Sequence, residues 1–126
     1  MKHHCQNWYL CALLALLVAA VGCNRSAPPP TALTEAELPS ALETAFSKAK
    51  PDIKDLATQV VAAVQAKEYA KAFQSMQALS AKTGLTKEQI NVISRATLTV
   101  NDLLQAAQAQ GDKKAAQTIK RYQTDK

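Results

Sequence analysis

The residues that could do chemistry in this chain are few, and most of them lie among its first 23 positions. Cys5, Cys11 and Cys23, both histidines (His3, His4) and the single tryptophan, Trp8, all fall there. Further along, the reactive groups reduce to carboxylates, basic side chains and the phenols of Tyr69 and Tyr122. Paired carboxylates, Asp52 with Asp55 and Glu35 with Glu37, come nearest to an acid/base couple. The first pair stands three apart at a helix start, where acidic residues cap the helix and answer its dipole, so a structural role suffices. Tyr69 and Tyr122 fall on inward stripes and read as core rings with a hydroxyl at the rim. Beyond residue 23 there is no histidine, no free thiol and no glycine except Gly84 and Gly111, so nucleophile–base triads and glycine-rich phosphate loops cannot be assembled. Zinc, which wants cysteine or histidine ligands, has none to use. The expectation is of a protein that is not an enzyme and holds no cofactor or metal.

Cys23 is placed by its surroundings. Lys2 precedes twelve uninterrupted apolar residues, Leu10 to Val21. That run fits the apolar core of an export signal, about 7–15 residues, and falls short of the ~20 a membrane-spanning helix needs. It closes on Ala20-Val21-Gly22-Cys23, which resembles the lipobox of bacterial lipoproteins, with Ala20 where that family most often has leucine. The resemblance implies cleavage between Gly22 and Cys23, a diacylglyceryl group on the Cys23 sulfur, and acylation of the new amino terminus. One acyl chain binds a membrane marginally, and several hold it durably. Asn24 leans, by the same resemblance, towards the periplasmic face of the outer membrane rather than the inner membrane, where aspartate at that position retains enterobacterial lipoproteins.

Removal of residues 1–22 leaves 104 of the 126, enough for one small domain. The expected organisation is a signal over 1–22, a lipidated cysteine and proline-rich linker over 23–37, and a helical domain over 38–126. Pro28-Pro29-Pro30 favours extended polyproline II, so Asn24 to Leu33 reads as a stalk. With Lys2 gone, 14 basic residues face 10 acidic ones, a formal +4 with no block of five like charges. Lys48, Lys50 and Lys54, and Lys113, Lys114, Lys120 and Arg121, read as solvated helix faces that could also lean on anionic headgroups. No aromatic residues alternate with them, so nucleic acid is not an expected partner.

From Leu38 onward apolar residues recur at helical intervals with good helix formers between them, which predicts an all-α domain of about five helices. The first is expected to start at Pro39, show Leu42, Ala45, Phe46 and Ala49 inward, and stop before Pro51. Asp52 is expected to cap the second, whose inner stripe is Ile53, Leu56, Val60 and Val64. After a break at Lys67-Glu68 a third presents Tyr69, Phe73, Met76 and Leu79. Gly84 is expected to close it in a left-handed conformation. Thr86 with Gln89 spells a capping box, and Leu85 with Ile90 the matching hydrophobic staple, for a fourth helix running from Lys87 to about Gln110. Its expected buried side is Ile90, Ile93, Val100, Leu103 and Leu104, with Ala96 and Ala107 at close approaches. Gly111 then stops it and Asp112 caps a last helix facing inward with Ala115, Ala116, Ile119 and Tyr122.

Residues 63–74 are echoed 43 positions later over 106–117, with six of twelve residues identical. Both copies fall at a predicted helix corner. The turn Lys67-Glu68-Tyr69-Ala70-Lys71-Ala72, and Gly111-Asp112 followed by Ala116 in a register shifted by one, resemble the corner of tetratricopeptide-like (TPR-like) hairpins. Two such antiparallel hairpins would present a helical surface to another protein or peptide. The alternative is a compact five-helix bundle in which the echo is coincidence. Lys126, the last residue, is similar to the terminal lysine by which the murein lipoprotein is joined to the cell wall. That likeness suggests an envelope tether as the alternative role, although Pro51, Gly84 and Gly111 interrupt the continuous heptad pattern of that type. The functional expectation is a lipid-anchored binding or scaffold module of the cell envelope, with an envelope protein or peptide as partner.

Overall fold

The computed structural model describes residues 27–125, so Gly22, Cys23 and Lys126 lie outside the described residues. The described part is all-α, as the helical spacing of its apolar residues predicts. Its five helices are α1 (Glu37–Phe46), α2 (Pro51–Gln65), α3 (Tyr69–Ser80), α4 (Lys87–Ala109) and α5 (Lys113–Thr124). Each of α1 to α4 carries one apolar stripe, and these meet in a single core: Leu38, Leu42 and Phe46 from α1, Val60 and Val64 from α2, Met76 and Leu79 from α3, and Val100 from α4. Helix α1 packs on α2 and α4, α2 on α3, and α3 on α4, so the first four close on themselves as a bundle. The fifth lies outside this ring against α4 and α3.

Several boundaries differ from the sequence expectation, each for a local reason. Helix α1 begins at Glu37, two residues before Pro39; Ala36 at the cap position makes no side-chain bond, and the turn before it is closed by reciprocal Thr34–Glu37 bonds. The Glu37 N–H donates to Thr34 Oγ1 (3.2 Å), and Glu37 Oε2 accepts from the Thr34 N–H (2.9 Å) and hydroxyl (2.8 Å). The last residues of the expected stalk are packed: Leu33 is buried, its carbonyl accepts from Thr99 Oγ1 (2.6 Å), and the Thr31 carbonyl accepts from Arg95 Nε (2.9 Å). Asp52 does not cap α2. Lys50 occupies the cap position without a side-chain bond, Pro51 supplies the preset first turn, and Asp52 bonds Lys82 instead.

At the start of α4 the capping box forms as spelled, with Gln89 N–H to Thr86 Oγ1 (3.1 Å) and Thr86 N–H to Gln89 Oε1 (3.0 Å). Gln89 also donates from Nε2 to the Ala45 carbonyl (3.1 Å), satisfying an acceptor in the last turn of α1 that the helix itself leaves open. Ile90, expected on the buried side of α4, is instead 51% exposed and lines a surface groove together with Leu85. Gly84 is left-handed (φ +76°), yet α3 has already ended at Ser80, so the glycine shapes the following loop rather than the helix stop.

The two corners of the echo share one hydrogen-bond pattern. At the end of α2, the Glu68 N–H donates to the Ala63 carbonyl and the Lys67 N–H to that of Val64; at the end of α4, Asp112 and Gly111 do the same to Ala107 and Gln108. These are Schellman closures, and they recur at 44 residues while the residue identities recur at 43. Lys67 therefore holds the position that Gly111 fills, with φ +56° against +93°. A side chain there costs about 1 kcal/mol that glycine avoids. Lys67→Gly is accordingly expected to raise Tm by about 4–8 °C, and Gly111→Ala to lower it similarly, by calorimetry. A Cβ at Gly111 would meet nothing within 4 Å, so its penalty is purely one of backbone conformation.

Candidate binding cleft

Of the carboxylates singled out as possible acid/base pairs, Glu35, Glu37 and Asp52 are occupied in holding the fold. Glu35 Oε1 accepts from the Tyr69 hydroxyl (3.1 Å), tying the approach to α1 onto the start of α3, while Glu37 serves the Thr34 box. Burial, and then the Glu35 carboxylate, push the Tyr69 hydroxyl above its ordinary pKa. Asp52 Oδ2 accepts from Lys82 Nζ (2.9 Å) across the α2 start and the α3 end, and that bond holds its carboxyl below the ordinary value of 3.8. Glu37 is likewise held below 4.5, chiefly by the Thr34 backbone N–H and then by its hydroxyl. Asp55 is exposed on α2. Among the described residues no group of three or more acidic, cysteine or histidine side chains could hold a metal ion, and no helix is long and apolar enough to cross a membrane.

Two depressed carboxyls have a consequence for stability. When pH falls below 4.5 and 3.8, the unfolded chain takes up protons that folded Glu37 and Asp52 still refuse, so stability drops until the lower folded values are passed. Glu37→Gln combined with Asp52→Asn is expected to flatten this acid limb of the Tm–pH curve while leaving its slope near neutrality unchanged.

A different feature offers binding chemistry. An open cleft of about 860 Å³ lies between the C-terminal half of α4, the C-terminal half of α5 and Phe73 of α3. It exists because α5 lies close to the bundle at its start and stands further off at its end. Ala115 is fully buried, which lets the first turn of α5 come close, but Ile119 is half-buried and Tyr122 is 43% exposed. The Tyr122 ring meets Phe73 edge-on, with centroids 5.3 Å apart and planes at 84°, and this aromatic pair spaces the far end of α5 from the bundle. Tyr122 thus sits at the cleft wall rather than in the core assigned to it.

Four carboxamides line the cleft, from Asn101, Gln105, Gln108 and Gln123, together with Leu104 and Ile119. Each carboxamide both donates and accepts hydrogen bonds, and the lining contains no carboxylate, ammonium or guanidinium. On α4 the set continues an uncharged stripe, Ile90-Ser94-Thr97-Asn101-Gln105-Gln108, at intervals of four, three, four, four and three. Sequence reading treated these polar residues as helix formers and missed the cleft; the charge-free stripe was the signal that could have found it. No protein-family model, curated protein or solved structure matches the chain.

Proposed function

We propose that the protein is a lipid-anchored, periplasm-facing module of the bacterial cell envelope, in which the α4–α5 cleft binds a segment of another envelope protein. The observation that carries the binding role is the pairing of four carboxamides with an aromatic wall in an open, uncharged cleft. A peptide main chain presents one N–H and one C=O per residue, and carboxamides answer both without demanding charge. Support for the anchor is the lipobox-like Ala20-Val21-Gly22-Cys23 and the proline-rich stretch that follows. Two helical corners closed in the same way support paired antiparallel hairpins similar to TPR units, with α4 and α5 forming the second pair. Catalysis is not part of this reading: Glu35, Glu37 and Asp52 are spent on structural bonds, and Asp55 stands exposed on α2 without a paired carboxylate.

A photocrosslinking residue in place of Gln105, used in intact cells, tests the cleft. A defined envelope protein should be captured from position 105 and not from Gln59 on the exposed face of α2, and Gln108→Glu should reduce that capture at least about tenfold, which corresponds to about 1.4 kcal/mol. Equal capture from both positions, or indifference to Gln108→Glu, overturns the cleft as the binding site. Muropeptides on Lys126 without any captured protein would favour the tether.

A further inference from the structure

The geometry points to a second surface, an apolar groove at the N-terminal half of α4 that seats on the lipid bilayer; this rests on the proposed anchor at Cys23. The groove, about 470 Å³, is lined by Pro30, Leu85, Ile90, Ser94 and Leu98, with Ile90 51% and Leu98 39% exposed. These two are the only large aliphatic side chains the described residues present so openly. Exposed apolar residues gathered on one patch, rather than scattered, mark a surface that something covers.

What covers it follows from the course of the chain. The N-terminal segment wraps α4 in steps: Leu33 is bonded to Thr99, Thr31 to Arg95, and Pro30 forms the rim of the groove beside Ser94 and Leu98. The polypeptide therefore leaves the described domain at the groove itself. Seven residue steps separate Pro30 from Cys23. Even fully extended they reach no more than about 25 Å, so acyl chains on Cys23 keep the rim of the groove within that distance of the headgroups. Among the exposed faces of the domain, the one nearest the anchor is thus the one carrying Ile90 and Leu98. The lining bears no carboxylate that would resist an anionic surface, and Lys87 stands one turn before Ile90 on the same side of α4. Short anchoring and exposed apolar side chains at the anchor point together turn a loose tether into a seated domain of defined orientation.

The test uses the protein expressed from its full sequence and purified in detergent from whole cells, carrying Ile90→Trp, Leu98→Trp or, on the far side, Gln59→Trp, each reconstituted into phosphatidylethanolamine and phosphatidylglycerol vesicles with brominated acyl chains. Emission added by Trp at 90 and 98, over that of the parent protein, should be mostly lost relative to unbrominated vesicles, while that at 59 should be unchanged. Mass spectrometry of the same preparations reports acyl chains on Cys23. Acylated protein in which 90 and 98 are quenched no more than 59 overturns the seating and leaves the anchor standing. Protein without acyl chains overturns the anchor, and the seating with it.

Discussion

Cys23→Ala is expected to remove the protein from the outer-membrane fraction, with no acylated species left by mass spectrometry. The size of the effect follows from how steeply binding grows with the number of chains. A single myristoyl-length chain gives an association constant of only about 10⁴ M⁻¹, so durable anchoring takes a second and third chain. In the proposed lipoprotein, removing the thiol removes the diacylglyceryl group and, with it, the cleavage that exposes an amino terminus for the third, leaving an unprocessed chain that keeps only the apolar run Leu10 to Val21. No helix among the described residues can replace the lost anchor by spanning the bilayer. The groove at Ile90 and Leu98 contributes a small apolar contact that matters while acyl chains hold it near the surface, and it is too limited to retain the domain alone. Misfolding is separable from release. The most N-terminal core residue described is Leu33, ten positions beyond the substitution, so the helical circular dichroism of Cys23→Ala should match that of the parent. A parent protein without acyl chains on its amino terminus, and an outer-membrane location unchanged by Cys23→Ala, would sink the lipoprotein reading.

Features written in contiguous residues were legible in the sequence, and features made by distant residues were not. Thr86 with Gln89, and Gly111 with Asp112, specify a helix start and a helix stop through bonds that span two to five positions, and both form as spelled. The Thr34-Glu37 box uses the same grammar, but the fitness of Pro39 for the first helical turn says nothing about a competing start two residues earlier. Lys67 shows the limit of residue preference. Nothing in a lysine favours a left-handed backbone, yet the Schellman bonds to Ala63 and Val64 and the docking of α3 on α2 impose it. Helical periodicity placed Ile90 and Tyr122 on inward stripes correctly as to angle. Whether a neighbour actually covers the stripe depends on where the adjoining helix ends and how closely it approaches, and periodicity contains neither. The cleft is the clearest instance: it arises from the difference between a fully buried Ala115 and an edge-on Tyr122 at opposite ends of α5, a matter of tertiary spacing.

Phe46→Ala is expected to be the most destabilising single substitution in the bundle, costing about 3–5 kcal/mol. The ring is only 1% exposed, and it closes the end of α1 where that helix meets both α2 and α4. Helix α1 has ten residues, too few to persist on propensity, so its order comes from three buried side chains, Leu38, Leu42 and Phe46. The side chain also lines a hollow of about 230 Å³ with Leu42 and Ala57, which means the vacated space joins an existing gap instead of being filled by collapse. Against a total stability of about 5–15 kcal/mol for a domain of this kind, such a loss lowers Tm by at least about 12 °C. Two outcomes are physically distinct. Because α1 bridges α2 and α4, and because Gln89 of α4 bonds the Ala45 carbonyl at the end of α1, loss of its packing should weaken the whole ring. Amide hydrogen exchange should then accelerate in α3 and α4 along with α1. Acceleration confined to α1, with the Tm of the remainder unchanged, would mean that α1 detaches as an independent unit and that the bundle is held by α2, α3 and α4 alone.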